Sequence, residues 1–195
     1  ELERRVPGVW KYFEFLPLHS KLSIISLGEG GTFLHKCERL AEAVGLRNLY
    51  IKDETSNPTG SFIDRGTTVE VSRIGELGRK SVYCGLTGNL AASLVAYTAR
   101  AGLKCKVFIP ERLDTGKFYQ IIAYGADVEV VRDSADACGQ AYKLAEQEKN
   151  VSHFVMPYNL YFQEGEKTTG YEICEQLDWT LPDEIIVPMG SGGHI

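Results

Sequence analysis

Asn57-Pro58-Thr59-Gly60-Ser61-Phe62-Ile63-Asp64-Arg65-Gly66 joins a tight turn to a helix start. Proline pre-sets one backbone angle, and glycine accepts the positive φ that other residues avoid, so residues 57–60 read as the turn. Ser61 carries a capping side chain and Asp64 follows three residues later, the S-x-x-D form of a capping box. The pattern beyond predicts a helix over about residues 62–77. The first N–H groups of a helix have no partners within it, so such a start is a ready place for an anion or ligand.

Outward from this stretch, short β-branched runs alternate with helical patterns. Strands are predicted at residues 49–52, 81–84, 104–109, 127–131, 153–156 and 184–188. Helices are predicted at residues 35–44, 63–77, 89–101, 115–124, 135–148 and 164–177. Gly45, Gly78, Gly102 and Gly125 each follow an apolar-periodic segment, as helix-ending glycines do. This rhythm predicts an α/β fold, with parallel sheets covered by helices. Ligands in such sheets bind beyond the carboxyl ends of strands, which directs attention to the loops after Cys84, Met156 and Met189.

The 195 residues suffice for one large domain or two small ones, with a core that needs no covalent staples. A net charge of −5 argues against a dedicated nucleic-acid surface. No apolar run is long enough to span a membrane. Cys37, Cys84, Cys105, Cys138 and Cys174 are scattered without a C-x-x-C pair, which excludes a zinc ribbon or thioredoxin motif. They are expected to be reduced thiols in a cytoplasmic protein. His19, His35, His153 and His194 share no metal-ligand spacing, and no metal site is expected.

Two glycine loops could carry chemistry. Gly85-Leu86-Thr87-Gly88-Asn89 follows a strand and opens a helix. Its glycines let backbone N–H groups approach a ligand, and Asn89 offers donors and an acceptor. A plain strand-to-helix turn with Asn89 as N-cap explains the same residues. Gly190-Ser191-Gly192-Gly193 follows an apolar run and can form a nest of N–H groups for phosphate, or a frayed end. It lacks the spacing of a dinucleotide loop and the lysine of an ATP loop. Tyr158, Tyr161 and Phe162 could stack on an aromatic ring or simply pack.

Several segments match one family in order and spacing: Pro7-Gly8-Val9-Trp10-Lys11-Tyr12, Leu27-Gly28-Glu29-Gly30-Gly31-Thr32, Tyr50-Ile51-Lys52-Asp53-Glu54, the opening stretch, Gly88-Asn89, Ala123-Tyr124-Gly125-Ala126 and Glu164-Gly165-Glu166-Lys167-Thr168. The chain thereby resembles threonine synthases, pyridoxal phosphate (PLP) enzymes of fold type II, the tryptophan synthase β-like class. The resemblance implies that Asn89 contacts the 3′-oxygen of PLP and that Gly190, Ser191, Gly192, Gly193 and His194 cradle its phosphate. It places Thr87, Gly88 and Asn159 at the substrate. It also implies a large domain beginning at residues 1–60, a small α/β domain at 61–160, and a return into the large domain at 161–195.

The departures from the family are equally specific. Ile63 stands at the catalytic position, where the family has the lysine that binds PLP as a Schiff base. Leu86 replaces a serine of the substrate-carboxylate loop, and Phe162 an arginine associated with substrate phosphate. Phe33 replaces a proline; Ser191 and His194 replace asparagines. Isoleucine is neither nucleophile nor base, and a phenyl ring cannot replace a guanidinium at phosphate. The resemblance implies the conversion of O-phosphohomoserine to threonine and phosphate; Ile63 implies a chain inactive in that reaction, with PLP held non-covalently. The alternatives are a non-catalytic or regulatory relative that binds PLP or an amino acid, and a PLP lyase with another substrate. The expected partner is a small amino-acid-type ligand, with a homodimer left open.

Overall fold

The structure is a computed structural model that describes residues 2–112, 115–155, 159–189, 192–193 and 195. After a 3-10 segment at Val9–Phe15, strand β1 (Leu34–Lys36) pairs antiparallel with β2 (Tyr50–Lys52), with helix α1 (Glu38–Ala43) between them. Helix α2 (Ile63–Glu76) follows the turn at residues 57–60. The chain then alternates: β3 (Ser81–Cys84), α3 (Gly88–Ala101), β4 (Lys104–Pro110), α4 (Thr115–Ala123), β5 (Asp127–Val131), α5 (Ser134–Gln147) and β6 (Ser152–Phe154). Helices α6 (Leu160–Glu166) and α7 (Thr168–Gln176) close the described order.

Strands β3 to β6 form one parallel sheet in the order β5-β4-β3-β6. The chain steps from β3 to β4 to β5, then crosses back to lay β6 on the other side of β3. The strand order therefore reverses between β3 and β6, which is where ligands bind in open parallel sheets, beyond the carboxyl ends of the strands. The period-2 alternation of β3 and β4 supplies both faces. Val82, Cys84, Val107 and Ile109 pack with Val71 and Ile74 of α2 and with Ala91, Leu94 and Val95 of α3. Tyr83 and Phe108 pack with Ala137, Ala141 and Ala145 of α5 on the opposite face.

Helix α2 is buried along nearly its whole length because α6 covers the side that the sheet layer does not. The crossing is close. A Cβ on Gly66 would lie 2.7 Å from Cδ2 of Phe162, and one on Gly165 would run into the Arg65 carbonyl. Phe162 is accordingly core rather than a stacking platform, with 3% of its surface exposed.

Four expectations need correction. Residues 35–44 do not form one helix: 34–36 pair with 50–52, because the non-local partner outweighs local helical periodicity. Residues 184–188 form no strand; Ile185 and Ile186 are exposed, and no described strand lies beside them to complete a ladder. The predicted helix at 164–177 is broken at Lys167, where the Thr168 hydroxyl bonds to the Gly165 carbonyl at 2.7 Å and a new helix starts. The capping box does not close, as Asp64 bonds elsewhere. The strand predicted at 153–156 runs from Ser152 to Phe154, with Met156, like Tyr158, outside the described residues.

Candidate functional site

The turn before α2 is built rigidly. Gly60 N donates to the Asn57 carbonyl at 2.8 Å. The Asn57 amide donates to the Glu54 carbonyl and its Oδ1 accepts from Gly30 N, both at 2.9 Å. Asp64 draws the turn onto the helix, its carboxylate accepting from Thr59 N and Thr59 Oγ1 at 2.7 Å each. The Ser61 hydroxyl accepts from Ile63 N at 3.3 Å, and its carbonyl accepts from Asp64 N at 3.2 Å. The Asp64 carboxylate reaches Thr59, five residues back, instead of the Ser61 N–H, so the turn itself takes the cap's place. Burial raises the Asp64 carboxyl above the usual carboxylate range, against the bonds from Ser93 and Thr59 that lower it.

Ser93 Oγ donates to Asp64 Oδ1 at 2.5 Å and ties α3 to the start of α2. Asn89 lies four residues before Ser93, on the same face of α3 and one turn nearer its N-terminus. Ile63, half-buried on the first turn of α2, and Asn89, exposed on the first turn of α3, thus belong to two helix starts held together by Asp64 and Ser93. Thr87 occupies the N-cap of α3, but its side chain bonds to no helix N–H, and Gly88 has φ +65°. The first N–H groups of α3 therefore receive no side-chain cap from Thr87.

Strand β6 delivers the other wall. Val155 N donates to the Tyr83 carbonyl at 3.1 Å, so β3 and β6 leave the sheet side by side. Asn159 then caps α6, its Oδ1 accepting from Phe162 N at 3.1 Å. The Asn159 amide donates to Glu70 Oε1 of α2, which His153 Nε2 of β6 also meets at 3.2 Å. Glu70 is 1% exposed, its Oε2 has no partner among the described residues, and burial raises its carboxyl. His153 is therefore a satisfied, partly buried histidine.

Of the glycine loop, Gly192 and Gly193 are described. Gly190, Ser191 and His194 lie outside the described residues. Gly192 has φ +93°, a conformation that glycine adopts without strain. Gly193 rests on Glu166, and a Cβ there would sit 2.5 Å from Glu166 Oε2. The neighbouring Gly165 touches Arg65, two residues beyond Ile63, so Gly193 is linked through Glu166 to the start of α2.

Beneath the turn lies a network that the sequence did not single out. Arg65 is fully buried and bonds to Glu54 at 2.7 and 2.8 Å and to Glu172 at 2.8 Å twice. Lys52 Nζ adds 2.8 Å bonds to Glu172 Oε2 and the Thr32 carbonyl. Burial alone would raise the Glu172 carboxyl, but Arg65 and Lys52 override it and hold it down at about 2. Lys52 is thus committed to an ion pair. The available signal was a row of charges, Asp64, Arg65 and Glu70, inside an otherwise buried helix. Glu166 was also missed, since helical periodicity does not reveal that a second segment covers it.

The family described as pyridoxal-phosphate dependent enzyme matches residues 25–195. The chain is 45% identical to threonine synthase of Methanocaldococcus jannaschii and 43% identical to that of Methanosarcina acetivorans, in each case over 100% of this chain and 48% of the relative. It spans about half the length of these curated relatives. Among solved structures, a fungal L-serine ammonia-lyase from Rhizomucor miehei superposes with a TM-score of 0.75 at 21% identity, covering 84% of this chain and 52% of that one. Neighbours of this kind make the fold type II. A match of that extent means that the chain belongs to the pyridoxal-phosphate dependent enzyme family.

Proposed function

We propose that the chain is a threonine-synthase-like protein that holds PLP without a covalent tether and does not turn over O-phosphohomoserine. The observation that carries this reading is the place of Ile63. It opens α2 beside the first turn of α3, where the family lysine would stand, and presents a hydrocarbon. The other walls suit a phosphate-bearing aromatic group: the uncapped start of α3, the exposed Asn89 amide and the left-handed Gly192. When bound, PLP supplies an electron sink for the α-carbon of an amino acid.

In this reading Asn89 donates to the 3′-oxygen of the ring, and Gly190, Ser191, Gly192, Gly193 and His194 take the phosphate. The N–H groups near Thr87 and Gly88 receive an amino-acid carboxylate, with Asn159 at the far end of the ligand. Position 63 can neither accept nor return a proton, and proton transfer by a placed base is worth about 10²–10⁴-fold in rate. The compartment is cytoplasmic, and residues 61–160, which contain the whole parallel sheet, form the small domain.

Phe162 favours a binding role over an enzyme disabled at one position. Its ring fills the space that Gly66 leaves at the α2–α6 crossing, so the apolar residue is built into the core. The test is to add PLP, reduce with borohydride and map the protein by mass spectrometry. The expected result is PLP retained on gel filtration before reduction, with no stoichiometric pyridoxyl-lysine after it. One pyridoxyl group on a single lysine would overturn the proposal.

A further inference from the structure

We propose that Glu166 sets the anion selectivity of the loop containing Gly193, through direct contact of its carboxyl with that loop. The inference rests on the assignment of that loop to the PLP phosphate. Glu166 ends α6 with 5% of its surface exposed, its carboxyl against Gly193 where a Cβ would have no room. No cation among the described residues pairs with it. At the C-cap of its helix, Lys167 is taken by Glu164. On α2, Arg65 is taken by Glu54 and Glu172, and Glu70 by His153 and Asn159. On α7, Glu172 is taken by Arg65 and Lys52.

Among the described residues nothing opposes burial, which pushes the Glu166 carboxyl up to about 8. At pH 7 the group is mostly protonated, can donate a hydrogen bond, and brings no charge to the loop. Above pH 8 it is a carboxylate beneath an anion site and repels whatever anion sits there. A phosphate monoester is already close to a dianion by pH 7, so its own titration is nearly complete across this window. By linkage, a bound dianion raises the Glu166 carboxyl further, and ionised Glu166 weakens the dianion by the same factor.

The experiment measures PLP and pyridoxal binding to the purified protein and to Glu166→Gln by equilibrium dialysis at pH 7, 8 and 9. Glutamine keeps the shape and neutrality of the protonated acid, and circular dichroism checks its fold. In the unmodified protein PLP affinity is expected to fall about tenfold from pH 7 to 9, the equivalent of one unit of coupling. Pyridoxal, which lacks the phosphate, should show no such fall, and neither should PLP with Glu166→Gln. Equal falls for PLP and pyridoxal, or for PLP with both proteins, would overturn the role of Glu166 while leaving the cofactor site standing. Failure of PLP to bind at any pH would sink the site assignment and this inference together. Should Glu166→Gln not fold, the comparison of PLP with pyridoxal on the unmodified protein decides alone.

Discussion

Arg65 shows how one side chain can fix several loops. It sits two residues after Ile63, has no exposed surface, and gathers Glu54 from the strand-side loop, Glu172 from α7, and the hydroxyls of Thr32 and Thr168. A guanidinium suits this task because its planar fork meets two carboxylates at once. Removing it leaves the half-buried Glu54 without its guanidinium and the buried Glu172 with Lys52 alone. Arg65→Met should therefore cost about 3–5 kcal/mol of stability, read as a lower urea midpoint. Arg65→Lys should recover only a minor part, since an ammonium presents one point charge and cannot serve both carboxylates bidentately. A midpoint for Arg65→Lys equal to that of the unmodified protein would show that charge alone, not the fork, holds the cluster.

Helix α2 and its crossing with α6 carry the same logic to the scale of elements. Gly66 accepts the Phe162 ring and Gly165 accepts the Arg65 carbonyl, so each helix has a glycine where the other presses closest. Gly66→Ala should destabilise by about 1–3 kcal/mol through overpacking, although alanine favours helix. Trimming the ring in Gly66→Ala/Phe162→Leu should restore part of the loss, and thermal melts of the three variants would show it; no rescue would place the strain elsewhere. The sheet and its helices were legible because their signals are local: alternating β-branched runs for β3, β4 and β5, and a turn directly before α2. Strand β1 was not legible, since residues 34–36 are extended only by virtue of pairing with residues 50–52. The break at Lys167 likewise depends on Thr168, whose hydroxyl is also engaged by Arg65 across the fold. In the site, Asn89 and Ile63 could be singled out from their loops. The meeting of Glu166 with Gly193 could not, because it joins a helix to a segment nearly thirty residues later.

For the whole molecule, five buried or half-buried carboxyls whose surroundings shift them fall into two sets with opposite pH behaviour. Glu172, held at about 2, and Glu54, also lowered by Arg65 against its own burial, stabilise the fold above the ordinary value near 4.5. That contribution is lost as pH falls from about 4.5 towards 2, because the unfolded chain binds protons first. Glu166, raised to about 8, and Asp64 and Glu70, raised by burial, act the other way. Between about pH 4.5 and 8 the folded protein keeps a proton on Glu166 that the unfolded chain releases, so stability drops with rising pH. Each such group contributes a slope of about 1.4 kcal/mol per pH unit inside its window. The two sets together place the stability maximum near pH 5, below neutrality, with decline on both sides. Urea midpoints at pH 3, 5 and 8 should therefore peak at 5, and Glu166→Gln should flatten the limb from 5 to 8 while leaving the acid limb intact. A midpoint that rises steadily from pH 5 to 8 would mean that these carboxyls are ionised in the folded protein, and that the Glu166 carboxyl under Gly193 is a permanent charge.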